Sequence, residues 1–492
     1  MADSRPNIVY IFADDMGYGD LSCLNENSKI KTPNLDRLAA GGMRFRDAHS
    51  SSAVCTPSRY SLLTGRYNWR SVKKEWVLNG YDGPLIEPGR MTVASYLRDK
   101  GYRTACIGKW HLGWEWGRDD ANPAAFDFSK PVKGGPADNG FDDFFGIVAS
   151  LDFPPYVYVQ DRHPTTTDVG WLDPEARGYT GKRMMRAGEI GADLVPEDVL
   201  PECTRRACRT IRERGQSDQP FFLYFPLSAP HTPILPEQFA GRSGTNEYGD
   251  FCLMVDWCVG EVLKAVDDTG AADNTIVVFS ADNGCSPAAG LDELKQVGHQ
   301  PSYVFRGHKA DIYEGGHRIP LLIRWPNLIP AGSACDDTVC LCDLLATMAD
   351  YFGDELPDDA GEDSVSNLPL WRGHEAEAAP VREATVHHSG NGSFSIRRGR
   401  WKLEFCPGSG GWSYPRPGVD PVDHLPPIQL YDLEGDIGEQ TNLQAEHKQV
   451  IRELTDLMTQ YVRNGRSTPG NPQRNDGPKY WPQLNWMTEA DA

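Results

Sequence analysis

Four short apolar runs limit what this chain can fold into: NIVYIF (7–12), TACIG (104–108), FFLYF (221–225) and TIVVFS (275–280). All are rich in β-branched or aromatic residues, and none alternates with polar ones. A strand with one face in water alternates, whereas a strand covered on both faces does not. Helical patterns lie between the runs. TPNLDRLAAGG (32–42) offers Thr32 as a cap, Pro33 in the first turn and glycine after the last, and MTVASYLRDKGY (91–102) repeats the scheme. A longer amphipathic helix is expected over 251–270. Strands alternating with helices predict an α/β domain built on a large, mixed, mostly parallel sheet with helices on its faces.

Each run ends in polar residues. Asp14-Asp15 follow the first, Lys109 and His111 the second, His231 the third and Asp282-Asn283 the fourth. In sheets of this kind sites form beyond the carboxyl ends of the strands, so these four clusters are expected to share one pocket. A lone Asp-Asp or Asp-Asn is ordinarily a turn or a cap. Two such pairs, each closing a covered strand, give three carboxylates and an amide oxygen, a hard-oxygen set suited to Ca²⁺ or Mg²⁺. Ringed by Lys109, His111 and His231, such a cation describes a site for a tetrahedral oxyanion ester.

The character of the chain changes near residue 380. Strand patterns around a Gly-rich turn (384–406), a further strand (428–433) and a helical pattern (443–464) predict a smaller α+β domain of antiparallel sheet plus helix. The expected domains are 1–380 and 381–492. Segments 114–140, 150–200 and 285–305 read as irregular loops around the pocket mouth.

Charge and cysteine narrow the function classes. Lys plus Arg number 49 against 69 Asp plus Glu, a net charge of −20 that argues against a nucleic-acid surface. The first apolar run is too short and too late for a signal peptide, and no stretch reaches membrane-span length, so no membrane partner is expected. The chain as written reads as cytoplasmic, or as periplasmic or secreted with a leader removed. Of 12 cysteines, Cys340 and Cys342 in CLC lack a second metal-binding pair and read as core thiols.

Cys55 is different. In AVCTPSRYSLLTGR (53–66), Pro57 suits a first helical turn, Tyr60, Leu62 and Leu63 supply apolar positions, and Gly65 suits a stop. Cys55 then sits at or just before a helix N-terminus, where free N–H groups favour an anion. The alternative is a small buried thiol.

The stretch CTPSRYSLLTGR resembles the signature of the type I, formylglycine-dependent sulfatases, C-x-P-S-R followed by L-T-G-R, within the alkaline-phosphatase-like superfamily. IFADDMGYGDL, GKWHLG, PHTP, SADNG and HKADIYEGGHRIPLLIRWP (308–326) resemble the family's other motifs in order, and YDLEGDIGEQTNL (431–443) extends the likeness into the small domain. The resemblance implies a sulfuric ester hydrolase whose Cys55 is oxidised to formylglycine by a separate maturation enzyme. It implies that Asp14, Asp15, Asp282 and Asn283, with modified Cys55, hold a divalent cation, Ca²⁺ in preference to Mg²⁺. Arg59 would steady the aldehyde hydrate, and Lys109 and Lys309 would bind sulfate oxygens. His111 would act as base for sulfate release, and His231 would protonate the leaving oxygen. Ser150 falls where the family often has a serine touching the hydrate or the first histidine.

A small sulfated substrate is expected, a sugar ahead of an aryl or alkyl sulfate. Trp114, Trp116, Tyr156, Tyr158 and Trp171 are loop aromatics able to stack on either. His308, His317, His387, His388, Asp152 and Arg162 are conceivable rim contacts that read better as ordinary surface residues. Three rivals stand beside this reading: a phosphate or phosphonate ester hydrolase of the same fold, a cysteine-thiolate enzyme, and a binding protein without chemistry. Against the second, the position six after Cys55 is Ser61 and not the arginine of a C-x5-R loop.

Overall fold

The computed structural model describes residues 5–373 and 380–488. Each of the four apolar runs forms a buried strand: β1 (Asn7–Ala13), β2 (Arg103–Lys109), β4 (Phe221–Pro226) and β5 (Thr275–Ala281). A fifth, β3 (Asp143–Ile147), extends the set. They run parallel in the order β5-β1-β4-β2-β3, with Ile8 paired to both Ile276 and Phe222. All their carboxyl ends therefore open on one edge. Antiparallel Leu321–Arg324 follows β5, and short strands at both margins bring the mixed sheet to ten.

Helices cover both faces of this sheet. They include α1 (Pro33–Ala40), α2 (Cys55–Thr64), α3 (Val93–Asp99), α4 (Val199–Arg214) and α5 (Glu247–Asp268). Thr92 caps α3, its hydroxyl accepting from the Ser95 N–H at 3.0 Å. Thr32 does not cap α1, because its hydroxyl is engaged by Ser22 instead. Helix α2 ends at Gly65, whose φ of +67° is the left-handed turn that glycine adopts without strain.

The C-terminal part forms a four-stranded antiparallel sheet: Thr385–His388, Phe394–Arg398, Trp401–Glu404 and Gln429–Asp432. Helix Lys448–Asn464 lies on it, packing Leu454 and Met458 against Ile396 and Leu403. Tyr67 and Trp69, just beyond α2, are buried in this same cluster. The expected boundary near residue 380 adjoins segment 374–379, which lies outside the described residues.

Two loop readings need correction. Segment 150–200 carries short strands at Val159–Gln160, His163–Pro164, Val169–Leu172 and Gly188–Gly191. Segment 285–305 carries a helix at Leu291–Gln296. Both were hidden because two- to six-residue elements are too short to show a period. Trp114, Trp116, Tyr156 and Tyr158 are buried and pack the core beneath these segments, and only Trp171 stands exposed.

Candidate active site

The four polar strand ends meet at Cys55. Helix α2 is buried along its whole length and begins with Cys55 itself. The Cys55 Sγ lies 3.4 Å from Asp14 Oδ1 and 3.7 Å from Asp15 Oδ1. Asp15 has a φ of +65°, a strained conformation for a non-glycine residue, and its N–H donates to Asp282 Oδ1 at 3.0 Å. One ligand atom from each of Asp14, Asp15, Asp282 and Cys55 lies within 4.8 Å of the others.

Three cations face the three carboxylates. Lys109 Nζ donates to both oxygens of Asp14 at 2.7 Å. Lys309 Nζ donates to Asp15 Oδ2 at 2.6 Å and lies 3.6 Å from Cys55 Sγ. Arg59, one turn along α2, donates through Nε and Nη2 to Asp282 Oδ2 at 3.2 and 2.8 Å. Burial alone would raise the Asp14 carboxyl, but Lys109, His231 and Arg59 outweigh it and hold it well below the usual range. Burial pushes Asp282 up despite Arg59, with the Asp14 charge adding to the effect.

The donor set fits a hard divalent cation. Asn283 supplies the decisive atom: its Nδ2 donates to Asp15 Oδ1 at 2.7 Å, while its Oδ1 is buried without any hydrogen-bond partner. A buried carbonyl oxygen left unpaired beside three carboxylates is what an oxygen-ligated cation would satisfy.

The histidines differ in surroundings. His111, at a φ of +56°, places Nε2 2.9 Å from the Leu78 carbonyl. A carbonyl only accepts, so Nε2 carries the proton and Nδ1 bears the lone pair. That Nδ1 is buried and unpartnered. Burial, with Lys109 and Arg59 nearby, holds the imidazole well below its usual pKa and hence neutral. The His231 side chain is 15% exposed and its Nε2 lies 3.5 Å from Asp15 Oδ2. Its Nδ1 contacts Thr232 Oγ1 at 2.8 Å and lies 4.0 Å from Asp152 Oδ1.

Cys55 is no thiolate. Burial and the Asp282 charge push its thiol well above the usual value, against Lys109 and Lys309. A neutral thiol is a weak nucleophile, which counts against the cysteine-thiolate rival.

Ser150 is buried nearby, but its hydroxyl makes no hydrogen bond to His111. Asp152 is no ordinary surface residue: it is buried, and despite that burial His231 and Arg186 hold its carboxyl down to about 2. Arg186 donates to it at 2.7 Å. No motif marked either residue, since their meeting depends on how segment 150–200 folds back. His308, half-buried next to Lys309, lies 3.1 Å from Ser413 Oγ through Nε2. Arg162 pairs with Asp138 at the surface.

His317, His387 and His388 are neither rim nor surface; all are buried. His317 stacks on His387 with centroids 3.8 Å apart and meets His49 at 3.0 Å between Nδ1 atoms. They belong to a buried polar seam in which Lys402 binds Glu439 at 2.7 Å. His388 packs on Phe394 and accepts from Asn68 Nδ2 at 3.0 Å.

A family model described as Sulfatase matches residues 6–354. The chain belongs to the sulfatase family. It is 33% identical over 491 residues to an N-acetylgalactosamine-6-O-sulfatase of Bacteroides thetaiotaomicron, covering 92% of each chain. It is 33% identical over 459 residues to human arylsulfatase A, covering 89% of this chain and 83% of that protein. A solved structure from work on glycosaminoglycan metabolism by Bacteroides thetaiotaomicron superposes with a TM-score of 0.81 at 31% identity, over 93% of this chain and 99% of that one. This sulfatase is therefore a sulfuric ester hydrolase on an alkaline-phosphatase-like fold, as its motifs implied. Among the described residues no disulfide joins any of the twelve cysteines, Cys340 and Cys342 included. Among the described residues, no helix is long and apolar enough to cross a membrane.

Proposed function

We propose that this sulfatase removes sulfate from a 6-O-sulfated N-acetylhexosamine residue, using formylglycine made from Cys55 by a maturation enzyme. The observation that carries the reading is Cys55 at the head of a wholly buried helix, neutral as a thiol, and enclosed by three carboxylates and three cations. The similarity to an N-acetylgalactosamine-6-O-sulfatase supports the sugar.

The modification supplies a hydrated aldehyde, with one oxygen to attack sulfur and a second hydroxyl through which sulfate is expelled. Asp14, Asp15, Asp282 and Asn283 would hold a divalent cation, Ca²⁺ in preference to Mg²⁺, which would supply positive charge against the sulfate and the nucleophile. Lys109 and Lys309 add point charges against the sulfate oxygens. Arg59 orients Asp282 and steadies the hydrate. His231, open on one side, donates a proton to the departing sugar oxygen. His111, neutral with Nδ1 free, takes the proton of the second hydroxyl. Ser150 borders the same pocket as a supporting contact. The catalytic part is assigned to 1–380, and 381–492 forms the smaller domain that closes the pocket rim.

Mass spectrometry of the tryptic peptide containing Cys55, from protein co-produced with a formylglycine-generating enzyme, tests the modification. Sulfate release from 6-O-sulfated N-acetylgalactosamine is then compared with phosphate release from the matching phosphate ester. An aldehyde with a higher kcat/KM for sulfate is expected. A persistent thiol beside a matured control, or preference for phosphate, overturns the reading.

A further inference from the structure

Two indole rings stand beside the site with no part in the chemistry above. Trp76 and Trp412 stack with centroids 6.0 Å apart and planes 22° apart, and they keep 36% and 42% of their surface exposed. Trp76 comes from the loop after α2, and Trp412 from the segment between the Trp401–Glu404 and Gln429–Asp432 strands.

Short backbone links tie the pair to the reacting centre. The Trp76 N–H donates to the Gly390 carbonyl at 2.7 Å, and the Gly390 N–H donates to the Ala310 carbonyl at 2.7 Å. Ala310 follows Lys309, and its own N–H donates at 2.8 Å to Ala53, two residues before Cys55. The Trp412 N–H donates to Asp311 Oδ1 at 2.8 Å. Leu78, whose carbonyl fixes the His111 tautomer, lies two residues after Trp76.

The platform is strained and closely fitted. Trp76 has a φ of +53°, a left-handed conformation disfavoured for a bulky aromatic residue. A Cβ on Gly390 would come within 2.7 Å of the Trp76 ring and 3.0 Å of the Ala310 Cβ. Glycine there lets the indole lie down onto the Lys309 segment. Holding a large apolar ring half in water in a strained backbone opposes stability, and a ligand covering it would recover the lost burial.

We infer that Trp76 and Trp412 form a stacking subsite for the sugar ring glycosidically linked to the sulfated one, so that an oligosaccharide end is preferred over a free sulfated monosaccharide. The inference rests on the carbohydrate reading of the site. Indole faces pack well against the C–H face of a pyranose. They need no charge complementarity, which suits a chain of net charge −20 that repels further sulfates.

The test compares kcat/KM of the matured enzyme on 6-O-sulfated N-acetylgalactosamine, free and as the terminal residue of a disaccharide, with 4-nitrophenyl sulfate as a third substrate. Wild type is expected to prefer the disaccharide by about tenfold. W412A should erase most of that ratio, chiefly through KM, and Trp412→Phe should restore part of it. W412L, which keeps apolar bulk without an aromatic face, serves if the alanine variant does not fold. A ratio unchanged in folded variants, or a wild type without preference, overturns the subsite alone. Activity on 4-nitrophenyl sulfate with none on either sugar overturns the carbohydrate reading, and the subsite with it.

Discussion

The Arg59 guanidinium meets Asp282 Oδ2 with two nitrogens, at 3.2 and 2.8 Å, where neither side chain is exposed to solvent. The pair ties α2 one turn beyond Cys55, and hence Cys55, to the carboxyl end of β5. Its fork also reaches the Lys109 carbonyl at 3.2 Å, joining a third element. Arg59→Ala should cost ~3–5 kcal/mol, because Asp282 is left charged and buried without its partner. Urea midpoints would measure this, and Arg59→Lys should recover only part, since an ammonium cannot reproduce the fork.

Asp14 bridges Lys109 and the proposed cation site. Asp14→Asn should abolish most sulfate release and weaken Ca²⁺ binding in calorimetry, with the far-ultraviolet dichroism spectrum preserved. Exhaustive chelation should do the same to the wild type, reversibly on adding Ca²⁺. Full activity in the chelated enzyme contradicts the metal assignment.

Asp152 Oδ1 lies 4.0 Å from Nδ1 of His231, the proposed proton donor. Protonation of the leaving oxygen matters more for a sugar alkoxide than for a nitrophenolate, which departs without help. Asp152→Asn is expected to lower kcat roughly tenfold to hundredfold on a sugar sulfate and much less on 4-nitrophenyl sulfate. Equal losses on both substrates would reduce Asp152 to a structural role.

Stability should fall on acidification. Burial holds the His49 and His388 imidazoles down to about 3, with Arg397 assisting at the first and Lys74 at the second. Below pH 6.5 the unfolded chain takes up protons at both positions while the native state does not. The stabilisation is complete above that value and is lost as pH falls towards the folded pKa, by up to ~1.4 kcal/mol per pH unit for each group. Urea midpoints at pH 7.5 and 5.5 should drop accordingly, and His388→Gln should flatten the slope. A midpoint that rises on acidification contradicts the assignment.

Much of this molecule was legible in the chain itself. Short, β-branched, non-alternating apolar runs suit strands covered on both faces, and parallel strands necessarily gather their carboxyl ends on one edge. That local logic is why Asp14, Lys109, His231 and Asp282, far apart in sequence, could be expected together, and why Cys55 stood out at a helix start. What sequence could not supply is the way long connections return. Whether Asp152 faces solvent or His231 depends on how 150–200 packs, and no periodicity encodes that. His317 and His387 look like rim residues when read singly. They are core because the C-terminal sheet lies across the Lys309 segment, where buried ions and stacked imidazoles satisfy one another. The Trp76–Trp412 pair is likewise a product of tertiary structure, two rings 336 positions apart brought face to face by hydrogen bonds of Trp76 to Gly390 and of Trp412 to the Asp311 carboxylate.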